Sequence, residues 1–427
     1  VDCLKACHTL PLDTRFFSKV FVDRLLASYD NLDAIKDGLL LHSENWQALN
    51  LLQEEYREQV QCIYIDPPYN TKATEIVYKN GYRDSSWLSL MHDRIMSSIL
   101  LSKQDGIHCV TIDDVECPRL WIELEQIFGS ANHLGTACIR SNPGGRKRKR
   151  KLALQHEYAL FFGKNSTIKV SKLLIDPEKK SHNYRRDENG QWYEIRNLRK
   201  DGVDSAAKQN DDRYYPIYFD PDTGRISSVE ELPIEILPID TNGVKRIWRR
   251  SKEDIDRLAK SGEIESQKTV NGHQLYLRYR GGLDGETPKS LWIDSKYSAS
   301  EYGTPVLDRI LGKREVFDFP KSIYAVSECI RTMSSRSDCV ILDYFAGSGT
   351  TGHSVIYLNR EEGGQRKFVL VEMESYFDSV LLPRIKKVTF APEWEDGKPT
   401  REVTPEEAER SPRIVKVIRL ESYEDAL

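Results

Sequence analysis

Five short runs rich in β-formers recur along the chain: 62–66 (CIYID), 107–112 (IHCVTI), 158–162 (YALFF), 339–343 (CVILD) and 368–372 (FVLVE). They are apolar almost throughout rather than in alternation, the pattern of strands covered on both faces. Between them, Trp87 to Lys103 and Pro118 to Phe128 repeat apolar residues at spacings of three and four. Strands alternating with such helices predict an α/β fold with a doubly wound, mainly parallel sheet. From about 164 to 315 the alternation stops, and turn signals such as DENG, DPDTG and TNGV take over. This stretch is expected to be a separate domain inserted between two halves of the sheet, 1–163 and 316–390. The segment 391–427 is polar with scattered prolines, yet RIVKVIRLESY regains an apolar pattern and is expected to dock.

Three of the strand runs end on an acid, Asp66, Asp343 and Glu372, and the first two of these lead into motifs. In IYIDPPYNTK (Ile63 to Lys72), Asp66 is followed by Pro67, Pro68 and Tyr69. Proline cannot extend a strand ladder, and the residue before a proline is held out of the helical region. The turn is therefore a stiff platform of carboxylate, carbonyl and ring. A plain strand-terminating turn accounts for the tetrapeptide taken alone. The second stretch, ILDYFAGSGTTGHSV (Ile341 to Val355), reads as strand, turn, glycine loop and helix. Gly347, Gly349 and Gly352 spell G-x-G-x-x-G, and Glu372 lies twenty residues beyond at the next strand's end. That spacing is also the dinucleotide fingerprint. Asp343 argues against a dinucleotide, because a pyrophosphate seeks backbone N–H groups and a helix N-terminus rather than a carboxylate at the mouth. S-adenosylmethionine (SAM) carries an ammonium and a sulfonium and no phosphate, so an acid there suits it, and Glu372 can take the ribose hydroxyls.

In open α/β sheets ligands sit at the carboxyl ends of strands where the strand order switches. If both acidic turns face one crevice, the glycine turn holds a methyl donor and the Asp-Pro-Pro-Tyr turn holds the acceptor. An exocyclic amino group offers two N–H donors, and the Asp66 carboxylate with the Pro67 carbonyl offers two acceptors. A duplex base would have to be flipped out to reach them. A dinucleotide-dependent oxidoreductase and a non-catalytic DNA-binding module are the other classes open at this point.

Net charge is −4, which neither favours nor excludes a polyanion. Basic residues are nonetheless concentrated: Arg146, Lys147, Arg148, Lys149, Arg150 and Lys151 are consecutive, and VKRIWRRSK and LYLRYRGG interleave Arg or Lys with aromatics. Of the eight cysteines, Cys62, Cys109 and Cys339 lie in apolar strand-like runs and read as core residues. Cys3, Cys7 and His8 match no zinc or haem spacing, so no metal is expected. No apolar run approaches the length of a membrane span, no signal-peptide pattern is visible, and the cysteine usage suggests a reducing, cytoplasmic compartment. The chain opens on Val1 rather than Met, as an excerpt of a longer chain would.

With these motifs the sequence resembles the amino-methylating DNA methyltransferases of the permuted type (the beta group), whose catalytic motif precedes the SAM motif. More closely, it resembles the modification subunits of type III restriction-modification systems. DPPYNT matches their catalytic motif and DYFAGSGTTG their SAM motif. GLLLHSENWQALNLL, WLSLMHDRI, VTIDDVE, HEYALFFGK, FDFPKSIY and FVLVEMESYFDSVLLPRIKKV have counterparts there. The resemblance implies catalysis by Asp66, Pro67, Pro68 and Tyr69. It implies cofactor contacts from Asp343, Phe345, Gly347, Gly349, Thr350, Lys321, Glu372 and Asn45, although the usual GDN stands here as Ser43-Glu44-Asn45. It makes 164–315 a target-recognition domain and Arg146 to Lys151 a DNA contact. Site-specific methylation of adenine N6 in double-stranded DNA, with SAM as donor, is the activity implied; cytosine N4 is the alternative. A homodimer and a restriction (helicase-nuclease) subunit are the partners it points to.

Overall fold

A computed structural model describes residues 9–69, 83–148, 151–173, 184–208, 211–229, 231–270, 272–280 and 285–421. Cys3, Cys7 and His8, and the Lys149 and Arg150 of the basic run, lie outside the described residues. The chain divides into two compact units, 1–172 with 287–427, and 173–286.

The first unit is built on a nine-stranded sheet. In chain order its strands are β1 (Lys36–His42), β2 (Val60–Ile65), β3 (Ser102–Ile112), β4 (His133–Ile139), β5 (Glu157–Gly163), β6 (Leu291–Trp292), β7 (Val340–Asp343), β8 (Lys367–Glu372) and β9 (Ile414–Arg419). Their spatial order is β6-β4-β5-β3-β2-β7-β8-β1-β9. Of these nine strands, β5 alone runs antiparallel to its neighbours, β3 and β4.

The strands are apolar on both sides because both sides are covered. Leu39, Leu41, Ile63 and Ile65 point into one core with Leu49 of α1 (Asn45–Tyr56), Trp87 and Met91 of α2 (Arg83–Ile99) and Leu120 of α3 (Cys117–Phe128). Leu40, Cys62 and Tyr64 point into the other. There they meet Val326 of α4 (Ile323–Met333), Val355 of α5 (Thr350–Glu362) and Ile385 of α6 (Leu382–Phe390). Cys62, Cys109 and Cys339 are buried core residues, as their apolar surroundings predict.

The order of the central strands positions the site. From β2 the chain crosses by way of α2 to β3 on one side; from β7 it crosses by way of α5 to β8 on the other. The two crossover helices pack on opposite faces, so β2 and β7 flank a topological switch point, where open α/β sheets form a crevice.

Two stretches that composition alone groups with the insertion, 164–172 and 287–315, belong to the first unit. The reason is β6, which pairs with β4, Leu291 opposite Cys138 and Trp292 opposite Ile139. The apolar tail docks as expected: β9 adds to the sheet edge in parallel with β1.

The second unit has a four-stranded antiparallel sheet (Ile264–Thr269, Gly272–Tyr279, Trp192–Asn197, Tyr184–Arg186) and a three-stranded one. Its core is small and includes Tyr215, Ile217, Trp248, Ile255 and Leu275. No helix among the described residues is long and apolar enough to cross a membrane.

Candidate active site

β2 and β7 are hydrogen-bonded neighbours, with Ile341 opposite Cys62 and Leu342 opposite Ile63. Parallel pairing puts both carboxyl ends, Asp66 and Asp343, at the same edge of the sheet. The two acids, nearly three hundred residues apart in sequence, thus sit on neighbouring strand tips, and the charge on Asp66 contributes to the raised pKa of Asp343.

The Asp66 turn is pinned from several sides. Trp87, fully buried, donates its indole N–H to the Pro68 carbonyl at 2.8 Å. That bond fixes the second proline of the turn. Asp66 Oδ1 accepts from the Tyr69 hydroxyl at 2.7 Å and the Thr111 hydroxyl at 2.8 Å, and lies 3.0 Å from Lys321 Nζ. Thr111 is itself 3.2 Å from the buried Tyr64 hydroxyl. Among the described residues, all three donors to Asp66 converge on this one oxygen, while the side chain stays a quarter exposed. Lys321 also reaches Glu157 Oε2 at 2.5 Å and donates to the Tyr69 hydroxyl. Burial opposes the charge on Lys321, but Asp66 and Glu157 outweigh it and hold its pKa above the ordinary lysine value. Burial, reinforced by Asp66 and Glu157, pushes the Tyr69 phenol well up, so it remains a donor.

The Asp343 turn is arranged differently. Asp343 is 2 % exposed. Its Oδ1 accepts from the Phe345 N–H at 3.0 Å and its Oδ2 from the Thr351 hydroxyl at 2.5 Å. Burial, more than the nearby acids, raises its pKa to about 7. Gly347 and Gly349 take the left-handed conformation, φ 54° and 80°, which a side chain would strain. A Cβ on Gly352 would come within 2.7 Å of Ile385 and 2.9 Å of Leu370, so this glycine lets α5 lie close on the sheet. Glu372 Oε2 accepts from Gly347 N–H at 2.8 Å, and its Oε1 from Met373 and Glu374. Thr350 and Ser348 accept from Arg384, which is wholly buried beneath the loop with its pKa lowered by burial to about 9.

Asn45 opens α1, with its amide Nδ2 3.4 Å from the Tyr344 carbonyl and its Oδ1 accepting from Arg94 at 3.0 Å. Glu44, which replaces the usual aspartate before it, caps α1 by accepting from the Trp46 N–H at 2.6 Å.

Two residues carried over as cofactor contacts already have side-chain partners within the protein. Lys321, carried over as a cofactor contact, directs its ammonium to Asp66, Tyr69 and Glu157. The hydroxyl of Thr350, carried over likewise, is engaged by Arg384. Of the basic run, 146–148 and Lys151 fall in two short antiparallel strands, Arg146–Arg148 and Lys151–Leu154. Sequence reasoning assigned no role to Glu157, Thr111 or Trp87. The only local signal was an acid at the head of the HEYALFF strand.

A strand-end carboxylate and a glycine turn on neighbouring strands make this edge, at the sheet's switch point, the candidate site of a doubly wound α/β protein. The chain belongs to the DNA methylase family of N6/N4 methyltransferases, whose model matches residues 60–381. It is 32% identical over 367 residues to the type II methyltransferase M.KpnI of Klebsiella pneumoniae, covering 82% of this chain and 85% of that protein. It is 25% identical over 376 residues to the type III restriction-modification enzyme EcoPI Mod subunit of Escherichia phage P1, and 26% identical over 367 residues to the StyLTI Mod subunit of Salmonella typhimurium. Those matches each cover 79% of this chain but only 57% and 52% of the Mod subunits, so the chain spans little more than half their length. Among solved structures, the cytosine-N4-specific PvuII DNA methyltransferase superposes with a TM-score of 0.44 at 13% identity, over 82% of this chain and 86% of that one.

Proposed function

We propose that this chain methylates N6 of adenine in double-stranded DNA, with SAM as donor, on a base turned out of the helix. The observation that carries the reading is the pairing of β2 with β7, which brings the two acidic turns to one edge at the switch point.

SAM supplies an electrophilic methyl group on a sulfonium sulfur. The residues fit such a group: Gly347 and Gly349 leave the turn without side chains, and the Glu372 carboxylate is held against it by the bond from the Gly347 N–H to Oε2. Phe345, Gly347, Gly349, Glu372 and Asn45 would hold it, with Asp343 shaping the turn. The chemistry of the acceptor falls to Asp66 and Pro67. An exocyclic amino nitrogen is a poor nucleophile because its lone pair is spread into the ring. Accepting one N–H at Asp66 and the other at the Pro67 carbonyl draws the nitrogen toward a tetrahedral shape and aims the lone pair outward. As the nitrogen gains positive charge, the carboxylate stabilises it, and the surplus proton leaves on the Asp66 side. The ring of Tyr69 offers a stacking face for the base.

In this reading the unit 173–286 selects the target sequence, and the run Arg146 to Lys151 contacts phosphates. Neutralising that run should weaken binding to every sequence and flatten its salt dependence while specificity holds. The protein would work as a homodimer in the cytoplasm, alongside a restriction subunit of helicase-nuclease type. The test is to expose DNA to the protein with labelled SAM, digest it to nucleosides and identify the modified base. N6-methyladenine is expected; N4-methylcytosine would change the acceptor, and label on neither base would overturn the reading.

A further inference from the structure

The geometry points to Glu157 as a positioning residue of the methyl transfer, acting through Lys321 to keep one net negative charge around Asp66. The inference rests on the function just given and deepens it.

Glu157 is the first residue of β5. Because β5 runs against β3, with Tyr158 opposite Ile112, its start lies at the same sheet edge where β2 and β3 end. That direction brings a second carboxylate to the catalytic turn. Lys321 stands between the two acids, 2.5 Å from Glu157 Oε2 and 3.0 Å from Asp66 Oδ1, and the Lys321 and Glu157 side chains are only 11% and 10% exposed. The ammonium helps orient Asp66: it bonds the Tyr69 hydroxyl, which bonds the same Oδ1, and among the described residues Oδ2 has no side-chain donor, so in this reading it takes the amino group.

An ammonium this close has a cost for the chemistry. Paired with Asp66 alone, it would cancel the carboxylate charge just where the amino nitrogen turns positive, and in a partly desolvated site that cancellation is felt strongly. Glu157 removes the conflict. Two carboxylates and one ammonium sum to −1, so Asp66 is braced by a cation and the centre still favours a developing cation. A plain buried ion pair tying β5 to the segment before α4 would use the same three residues but would not depend on the sum of their charges.

The test is a charge-parity cycle in the full chain, read by methyl transfer from labelled SAM to DNA that the wild type methylates. Glu157→Gln makes the centre neutral and should lower kcat about tenfold or more, with KM for SAM little changed. Lys321→Met leaves two carboxylates in one pocket, −2 in all at neutral pH, and their repulsion makes one of them give up its proton at a higher pH, so the acid limb of the kcat–pH profile should move up by about one unit or more. The double variant returns the sum to −1 and should exceed both single variants in kcat at neutral pH. A double variant no better than the more active single, or a loss confined to KM for SAM, overturns the inference. Should Glu157→Gln fail to fold in a thermal melt, the Lys321→Met profile decides, and an unmoved acid limb overturns it. An inactive wild type would condemn the functional reading itself, whereas an active wild type with additive variants condemns only the role of Glu157.

Discussion

The turns after β2 and β7 begin alike, each with an aspartate at the tip of a parallel strand, yet they use the acid in opposite ways. Asp66 gathers its side-chain donors on one oxygen and stays a quarter exposed. Asp343 gives both oxygens to its own loop and is buried. The sequences explain the split. Two prolines after Asp66 remove the next two N–H groups it could accept from, so its described partners are side chains, Tyr69 from the turn and Thr111 and Lys321 from elsewhere in the fold. After Asp343 the chain turns at glycines into a helix, and the Phe345 N–H and Thr351 hydroxyl fold back onto the acid. One acid is thereby poised toward a ligand, while the other holds the shape of a binding loop.

Removing each acid should separate these roles. The largest effect is expected from Asp66→Ala: kcat falls by about 10³ or more while the dissociation constant for SAM stays within a few-fold, as measured by single-turnover transfer and equilibrium binding. A comparable loss of SAM affinity would erase the distinction. Gly352→Ala tests the other turn's packing. With Ile385 and Leu370 in the way, overpacking should cost about 1–3 kcal/mol and lower the Tm by several degrees.

Asp343 offers a subtler test through pH. Its pKa is raised in the folded chain to about 7, so the folded state binds this proton more tightly than the unfolded state does. Its contribution to stability therefore declines as pH rises from the ordinary carboxylate range to about 7, then levels. Asp343→Asn should remove that slope from denaturant titrations run across the window. A cationic ligand nearby favours the ionised acid, so SAM binding to the wild type should tighten through pH 7, by about tenfold if the pKa falls one unit on binding. The asparagine variant should bind with little pH dependence. The smallest effect is expected for Thr111→Val, which removes one of the donors on Asp66 Oδ1. It should cost about 1 kcal/mol, or roughly fivefold in kcat, without altering SAM affinity.

Much of this arrangement is legible in the residues alone. The central strands announce themselves because burial on both faces makes them continuously apolar, and the two acids stand out as polar ends to such runs. β4 is harder to see because most of its residues are only half-buried, and β6 is two residues long, too short to register as a period. That shortness is why the insertion looked longer in composition than the compact unit 173–286. Thr111 is invisible locally, and Glu157 shows only as an acid at the head of a strand. Their approach to Asp66 depends on strand order and on the reversed direction of β5, which no nearby pattern encodes. Arginine interleaved with aromatics reads as a nucleic-acid surface, but in the second unit Arg278 pairs with Glu265, and Arg280 with Asp187 and Glu263. Arg196 stacks 3.6 Å from the centre of the Tyr279 ring. Those side chains are spent largely on holding their own small sheet together.

The central claim is that the two strand tips open into one cavity spanning donor and acceptor. A bisubstrate compound, with adenine N6 joined by a short carbon link to the sulfur position of a SAM analogue, tests it in a single binding titration. One shared cavity predicts that the compound binds the protein at least about a hundredfold tighter than either half, since the second contact becomes intramolecular. Affinity no better than that of the stronger half would contradict the account.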